Sequence, residues 1–161
     1  MTELADQKAA LQQLIAMGFV DPARVGVSGW SYGGFMTLNC LLNAPDMFHA
    51  GIAGAPVTNF LNYDTIYTER YMGLPKDNPD GYKETALPAK AANLKGKLLI
   101  FHNFEDDNVL FQNTLQMTNA LQLAGKQFEM MLYPQKSHGV SGAAARQLQQ
   151  LTVEFFDRQL K

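Results

Sequence analysis

A Gly-x-Ser-x-Gly pentapeptide at residues 29–33 constrains the fold of this chain more than any other feature of the sequence. It follows a short apolar run at residues 25–28 that predicts a strand, and it precedes a helical pattern from about residue 32 to 43. A serine between a strand and a helix sits in a sharp turn. The segment therefore predicts that Ser31 projects from the carboxyl edge of a sheet, with the Tyr32 N–H beside it.

The two flanking glycines fit such a turn. Side chains at positions 29 and 33 would be expected to collide with the neighbouring strand and helix, and Gly29 and Gly33 remove those collisions. The alternative is a glycine-rich turn with an incidental serine. A phosphate-binding loop is excluded, because no Gly-Lys-Ser or Gly-Lys-Thr follows.

The rest of the chain continues the alternation of strands and helices. Such alternation is typical of a parallel sheet covered by helices on both faces, so we predict one α/β domain over residues 1–161, without repeats or linkers. Further strands are predicted at 49–55, 97–102 and 128–133, helices at 3–17, 109–124 and 142–160, and irregular or short-helical structure at 57–93.

Composition excludes several classes of protein. The 161 residues are 47% hydrophobic and 17% charged, as expected for a globular chain, and a net charge of −2 argues against a nucleic-acid partner. Cys40 is the only cysteine and no cluster has metal-ligand spacing, so we expect neither a metal nor another cofactor. The sequence has no membrane-length apolar segment and no signal-peptide pattern, and it leaves the compartment undetermined.

A nucleophilic serine needs a base and an acid that orients the base, each following a later strand in this architecture. Asp106 and Asp107 follow the strand predicted at 97–102, and His138 follows the strand predicted at 128–133. The spacing therefore predicts that one of the two aspartates acts together with His138, and it leaves open which one.

Other interpretations of these residues are available. One of the two aspartates is expected to cap the helix predicted near Val109. His138 could be an ordinary loop histidine. His49 and His102 are weaker candidates for the base, because they adjoin or lie within strands, and Glu105 is expected to be a solvated loop residue.

Four separate motifs then resemble one family. The chain is similar to the catalytic domain of the prolyl oligopeptidase family of serine peptidases, most closely its dipeptidyl peptidase branch. The similarity spans nearly the whole chain. The motifs are Gly-Trp-Ser-Tyr-Gly-Gly at 29–34, Tyr-Thr-Glu-Arg-Tyr-Met-Gly-Leu-Pro at 67–75, Asp-Asp-Asn-Val at 106–109 and Ser-His-Gly at 137–139.

The resemblance implies an α/β-hydrolase fold with Ser31 as nucleophile, Asp106 as orienting acid, His138 as general base and the Tyr32 N–H in the oxyanion hole. It also implies a pocket that accepts proline or alanine before the scissile bond, in a peptide substrate. The implied substrate-binding residues are Trp30, Val57, Phe60, Tyr63, Tyr67, Asn108 and Val109. From spacing alone, Tyr63 and Tyr67 could equally be core residues one helical turn apart.

The sequence also departs from the family pattern. Asn103 stands where relatives usually have glycine, and Leu110 where close relatives often have histidine. Family members precede this region with a β-propeller and with the first half of the hydrolase sheet, which supplies a tyrosine hydroxyl to the oxyanion hole. The resemblance thus covers only the C-terminal half of the hydrolase fold.

Two expectations follow from that partial coverage. The strand at 25–28 would become an exposed sheet edge, which predicts a homodimer formed through that edge or its covering helices. A weakened oxyanion hole would favour small activated esters over peptides as substrates. The alternative to an enzyme is a non-catalytic fragment that serves as an oligomerisation lobe of a larger peptidase.

Overall fold

The computed structural model describes residues 2–161, in which four parallel strands form one sheet in the order β1-β2-β3-β4. The strands are β1 (Gly26–Trp30), β2 (Ala50–Gly54), β3 (Lys97–Asn103) and β4 (Glu129–Tyr133). The helices are α1 (Thr2–Ala16), α2 (Tyr32–Asn43), α3 (Thr65–Met72), α4 (Pro79–Thr85), α5 (Gln112–Leu123) and α6 (Gly142–Gln159), with 3₁₀ helices at Phe60–Asn62 and Leu87–Asn93. The predicted α/β class with about four parallel strands is confirmed.

Two boundaries differ from the sequence prediction by two or more residues, and the other differences are of one residue. Strand β1 continues to Trp30 rather than ending at residue 28, because Gly29 and Trp30 still pair with Ala53 and Gly54 of β2. The helix predicted from residue 109 begins three residues later, at Gln112.

The core forms on both faces of the sheet because alternate strand residues point to opposite sides. In β3, Leu98 and Ile100 contact the cluster beneath α2 and α5, whereas Leu99 and Phe101 contact the cluster beneath α6. Strands β2 and β3 are almost completely buried, as expected for central strands of a parallel sheet.

The β1 side of the molecule is less well covered than the centre. Strand β1 pairs only with β2, and its residues Gly26 and Ser28 are exposed. In α1, which precedes β1, Leu4 and Leu11 pack on the core, but Leu14 is exposed. Within residues 2–161, no helix is both long enough and apolar enough to span a bilayer.

Candidate active site

Ser31 lies in the turn between β1 and α2, at the carboxyl edge of the sheet. Its backbone has φ 60° and ψ −116°, a left-handed conformation that costs a residue with a side chain about 1–3 kcal/mol. Two hydrogen bonds hold it there: the Ser31 N–H donates to the Gly54 carbonyl at 2.8 Å, and its own carbonyl accepts from the Phe35 N–H at 3.0 Å. The turn is therefore strained, and neighbouring backbone on both sides fixes it.

Only one of the two predicted glycine constraints holds. A Cβ at Gly29 would overlap the backbone carbonyl of Gly33, so this position requires glycine. A Cβ at Gly33 would meet no atom within 4 Å, so the predicted steric need at that position is wrong. The second constraint lies one residue later, because a Cβ at Gly34 would overlap the Gly54 carbonyl and press on Pro56.

Tyr32 is the first residue of α2, and its backbone N–H therefore has no carbonyl one helical turn earlier to receive it. Such an N–H carries part of the positive end of the helix dipole. The group next to Ser31 is thus suited to stabilise negative charge.

Asp106 lies in the loop after β3, and its side chain is fully buried. Its Oδ1 accepts hydrogen bonds from the backbone N–H groups of Asn108 at 3.0 Å and Val109 at 2.9 Å. The prediction that Asp106 or Asp107 caps α5 is wrong: Phe111 is at the N-cap and makes no side-chain cap bond. Asp106 instead organises the loop itself, and this leaves Oδ2 available.

His138, in the loop after β4, contacts that remaining oxygen. Its Nδ1 lies 2.9 Å from Oδ2 of Asp106. An ionised carboxylate only accepts hydrogen bonds, so Nδ1 carries the proton and the other ring nitrogen, Nε2, is left as an acceptor. The side chain is 26% exposed, and its ring meets the Trp30 ring edge-on at 5.9 Å, which places His138 beside the residue that precedes Ser31.

His102, in β3, is a second histidine beside the same aspartate. Its Nε2 donates to the Val109 carbonyl at 2.8 Å, and the Thr114 hydroxyl donates to its Nδ1 at 2.7 Å. Nε2 lies 3.4 Å from Oδ2 of Asp106, but burial lowers the pKa of His102, so this contact is not an ion pair. With both nitrogens engaged inside the core, His102 is structural.

A small cavity of about 170 Å³ opens at Ser31 and has mainly aromatic walls. Five of the predicted substrate-binding residues line the cavity: Trp30, Val57, Phe60, Tyr63 and Tyr67. The other two lining residues are Ser31 and Tyr32.

The other two predicted binding residues, Asn108 and Val109, do not line this cavity. Val109 is fully buried and lies in the loop between β3 and α5, which we call the acid loop because it carries Asp106. Asn108 is connected to the cavity through its Oδ1, which accepts from the Tyr63 hydroxyl at 2.7 Å.

The rings of Tyr63 and Tyr67 meet edge-to-face at 5.2 Å, but Tyr63 precedes α3. The two tyrosines are therefore not one turn apart on a single helix, but both are partly buried and pack against the core cluster, as the alternative expected. Burial raises the pKa of both phenols, which keeps them neutral at physiological pH.

Sequence reasoning missed two residues that join the acid loop to the loop between β4 and α6, which we call the histidine loop because it carries His138. The Asn103 side-chain amide donates to the Ser137 carbonyl, and the Ser137 hydroxyl donates to Oδ1 of Asp107 at 2.6 Å. Asn103 had been noted only as a departure from a family pattern, and Ser137 only as part of a motif. No local sequence signal pairs them, because 34 residues separate them.

The family model described as "Prolyl oligopeptidase family" matches residues 1–161. The chain belongs to the prolyl oligopeptidase family. Dipeptidyl peptidase 4 of Bos taurus is 43% identical over 148 residues, which cover 90% of this chain and 19% of that protein. For dipeptidyl peptidase 4 of Felis catus the identity is 44% over 148 residues, with the same coverage of both proteins.

Among solved structures, Porphyromonas gingivalis dipeptidyl peptidase 4 superposes with a TM-score of 0.94 at 42% identity. The match covers 98% of this chain and 23% of that chain. The sheet and helices are thus those of the α/β-hydrolase domain of this family. The chain spans about a fifth of the length of the curated relatives it matches.

Proposed function

We propose that this chain carries the acyl-transfer centre of a serine peptidase, with Ser31 as nucleophile, His138 as general base and Asp106 as the acid that orients it. The observation that carries the proposal is the hydrogen bond between His138 and the buried Asp106, which leaves Nε2 of His138 as an acceptor at the sheet edge where Ser31 is held in a strained turn. Membership of the prolyl oligopeptidase family supports the same assignment.

The proposed reaction gives each of these groups one role. Nε2 of His138 takes the proton from the Ser31 hydroxyl as Oγ bonds to the substrate carbonyl carbon, and the carbonyl oxygen becomes an oxyanion that accepts from the Tyr32 N–H. The imidazolium then gives its proton to the leaving amine or alcohol, and an acyl-serine forms. Water, deprotonated by His138, attacks the acyl carbon, and Ser31 leaves with the returned proton.

Asp106 supports this cycle in two ways. Its Oδ2 fixes the imidazole in the tautomer that presents Nε2 as the base, and its negative charge stabilises the imidazolium once it forms. Because Asn108 and Val109 hold Oδ1, the carboxylate cannot rotate away from His138 without breaking two backbone hydrogen bonds.

The cavity at Ser31 favours a small, flat side chain next to the scissile bond. Five of the seven residues that line the cavity are aromatic, and aromatic walls stack well on a pyrrolidine ring. We therefore propose peptides with proline or alanine at the cleavage position as the substrate class, in keeping with the relatives named dipeptidyl peptidase 4.

Small activated esters are the second proposed substrate class. The Tyr32 N–H is the one oxyanion donor that we assign in residues 2–161, and each such donor is worth about 2.7–4 kcal/mol in the transition state. Esters have better leaving groups than amides, so they depend less on a full oxyanion hole.

A paired assay tests the proposed function. The 161-residue chain is incubated with Gly-Pro-nitroanilide and, separately, with nitrophenyl acetate, alongside Ser31→Ala and the matched variant Ser141→Ala. Ser141 is also a serine at a helix N-cap, and its side chain makes no cap bond. We expect hydrolysis by the parent and by Ser141→Ala, and a loss of about 10⁴-fold or more in Ser31→Ala. Equal rates in all three proteins would refute the proposed function.

A homodimer formed through the β1 side is a further proposal, and it also fits the alternative of an oligomerisation lobe. It is supported by the exposed edge of β1 and by three exposed apolar residues that precede it, Leu14, Met17 and Phe19. Light scattering at micromolar concentration is expected to give twice the 17.9 kDa chain mass. A monomer mass would contradict it, and labelling of Ser31 by a fluorophosphonate separates an enzyme from a non-catalytic lobe.

A further inference from the structure

The loops that carry Asp106 and His138 are tied together at points outside that pair. The Asn103 side-chain amide donates to the backbone carbonyl of Ser137, the residue directly before His138. The Ser137 hydroxyl in turn donates to Oδ1 of Asp107 at 2.6 Å. The residue before the imidazole is thus held by its main chain on one side and by its side chain on the other.

The orientation of the Asn103 amide follows from its partner. A backbone carbonyl only accepts hydrogen bonds, so the amide nitrogen must face Ser137. Asn103 is fully buried, and its Oδ1 has no hydrogen-bond partner. A buried acceptor without a partner is unfavourable, so the Asn103 side chain keeps its bond to the Ser137 carbonyl while its own Oδ1 stays unpaired.

Asp107 completes the connection as a charged acceptor. The hydrogen bond from Ser137, together with a backbone hydrogen bond, holds the pKa of Asp107 below its ordinary value. A hydroxyl that donates to a carboxylate makes a stronger bond than one that donates to a neutral group, so the Ser137 side chain has one preferred direction.

Backbone hydrogen bonds extend the connection toward the sheet. The Phe104 N–H donates to the Tyr133 carbonyl at 3.0 Å, and the Glu105 N–H donates to the Lys136 carbonyl at 3.2 Å. These two bonds lie beyond the last β3–β4 pair, Asn103 with Tyr133, and connect the chain up to residue 136. Beyond that point, the side chains of Asn103, Asp107 and Ser137 hold the histidine loop to the acid loop.

We propose that Asn103, Asp107 and Ser137 form a loop clasp, a set of positioning residues that holds His138 at hydrogen-bond distance from Asp106. The inference rests on the proposed function, because it assigns the clasp to the general base of that reaction. A displacement of about 1 Å at a catalytic group costs on the order of 10²-fold in rate, so loss of either of the two hydrogen bonds at residue 137 is expected to lower the rate measurably.

The test uses Ser137→Ala and Asn103→Ala, with Ser137→Thr as the variant that keeps the hydroxyl. Ser141→Ala is the matched serine control. Asn93→Ala is the matched asparagine control, since Asn93 is exposed and precedes the opposite end of β3. Each protein is assayed for kcat and KM on nitrophenyl acetate, and proton NMR records the imidazole Nδ1–H signal of His138.

We expect kcat to fall about 10-fold in Ser137→Ala and in Asn103→Ala, with KM within two-fold of the parent and with a broadened or lost Nδ1–H signal. Ser137→Thr and both controls are expected to match the parent. A purely structural role would lower the fraction of folded protein but would leave the kcat of the folded molecules and their Nδ1–H signal unchanged.

Ser137→Ala decides the inference if Asn103→Ala does not fold, because the Ser137 hydroxyl is on the surface. A kcat within two-fold of the parent together with an unchanged Nδ1–H signal would overturn the clasp. If the parent hydrolyses neither Gly-Pro-nitroanilide nor nitrophenyl acetate, the proposed function fails. The NMR signal alone then judges the clasp: its loss in Ser137→Ala supports the clasp and its retention overturns it.

Discussion

Nδ1 of His138 lies 2.9 Å from Oδ2 of Asp106, although 32 residues separate the two along the chain. The parallel pairing of β3 with β4 brings them together, because the strands end side by side and each residue lies in the loop that follows its strand. The acid is buried and the imidazole is partly exposed. The pair therefore leaves Nε2, the other ring nitrogen of the partly exposed His138, outside the contact with Asp106.

Replacing Asp106 by asparagine is expected to lower kcat by about 10⁴-fold on either substrate. An amide in place of the carboxylate no longer requires the proton on Nδ1, so the imidazole can adopt the tautomer with the proton on Nε2, which cannot act as a base. The measurement is kcat on nitrophenyl acetate, with the folded state checked by circular dichroism.

Glu105→Gln is the matched control, since it removes a neighbouring carboxylate whose residue is exposed. We expect it to keep the parent kcat within two-fold. Equal losses in Glu105→Gln and Asp106→Asn would mean that general loop charge, rather than the Asp106–His138 hydrogen bond, supports activity.

Alanine at the two glycines of the pentapeptide is expected to have opposite effects. Gly29→Ala places a Cβ against the Gly33 carbonyl and should lower the free energy of unfolding by about 2–3 kcal/mol or more. Gly33→Ala meets open space within a helix and should raise it by up to about 1 kcal/mol. Urea unfolding of both variants measures the difference, and destabilisation by Gly33→Ala equal to that by Gly29→Ala would contradict the turn geometry.

Cys40 is expected to be an unreactive thiol in the folded chain. Burial raises its pKa from 9.0 to about 11, so a thiol reagent at about pH 8 should modify the native protein far more slowly than the urea-unfolded protein. Because the folded pKa lies above the unfolded one, the associated stability is complete below about pH 9 and is lost as the pH rises toward about 11.

The loss amounts to at most about 2–3 kcal/mol, since each pKa unit corresponds to about 1.4 kcal/mol. Cys40→Ala should flatten the decline of the unfolding free energy with pH in this range. Rapid modification of the native protein would show that the face of α2 that carries Cys40 is exposed in solution.

The fold was predictable because its signals are local. Apolar runs such as 97–102 and helical periodicity such as 32–43 each need only a short stretch of sequence, and their alternation predicts a parallel sheet. The motif at residues 29–33 then placed Ser31 in the turn after β1, where the structure also has it. Its glycine requirement was only half correct, because the contact that matters at Gly34 comes from the distant backbone of Gly54.

The contacts that join the loops were not predictable for the same reason. The Asn103–Ser137 and Ser137–Asp107 bonds connect residues that are 34 and 30 positions apart, and nothing in either segment specifies the other. The false expectation that an aspartate caps α5 had a similar origin, since Asp106 bonds to nearby backbone but orients toward His138. Side-chain contacts between residues far apart in the sequence can be identified only once the three-dimensional structure is known.

The most direct measurement of the central claim is labelling of the native chain with a fluorophosphonate probe, followed by mass mapping of the modified peptide. An activated hydroxyl attacks the phosphorus and displaces fluoride, which leaves a stable phosphonyl-serine. We expect one adduct, on Ser31, that disappears in Ser31→Ala and forms far more slowly in His138→Ala. Absence of an adduct on the folded parent, or labelling of Ser31 at the same rate without His138, would contradict it.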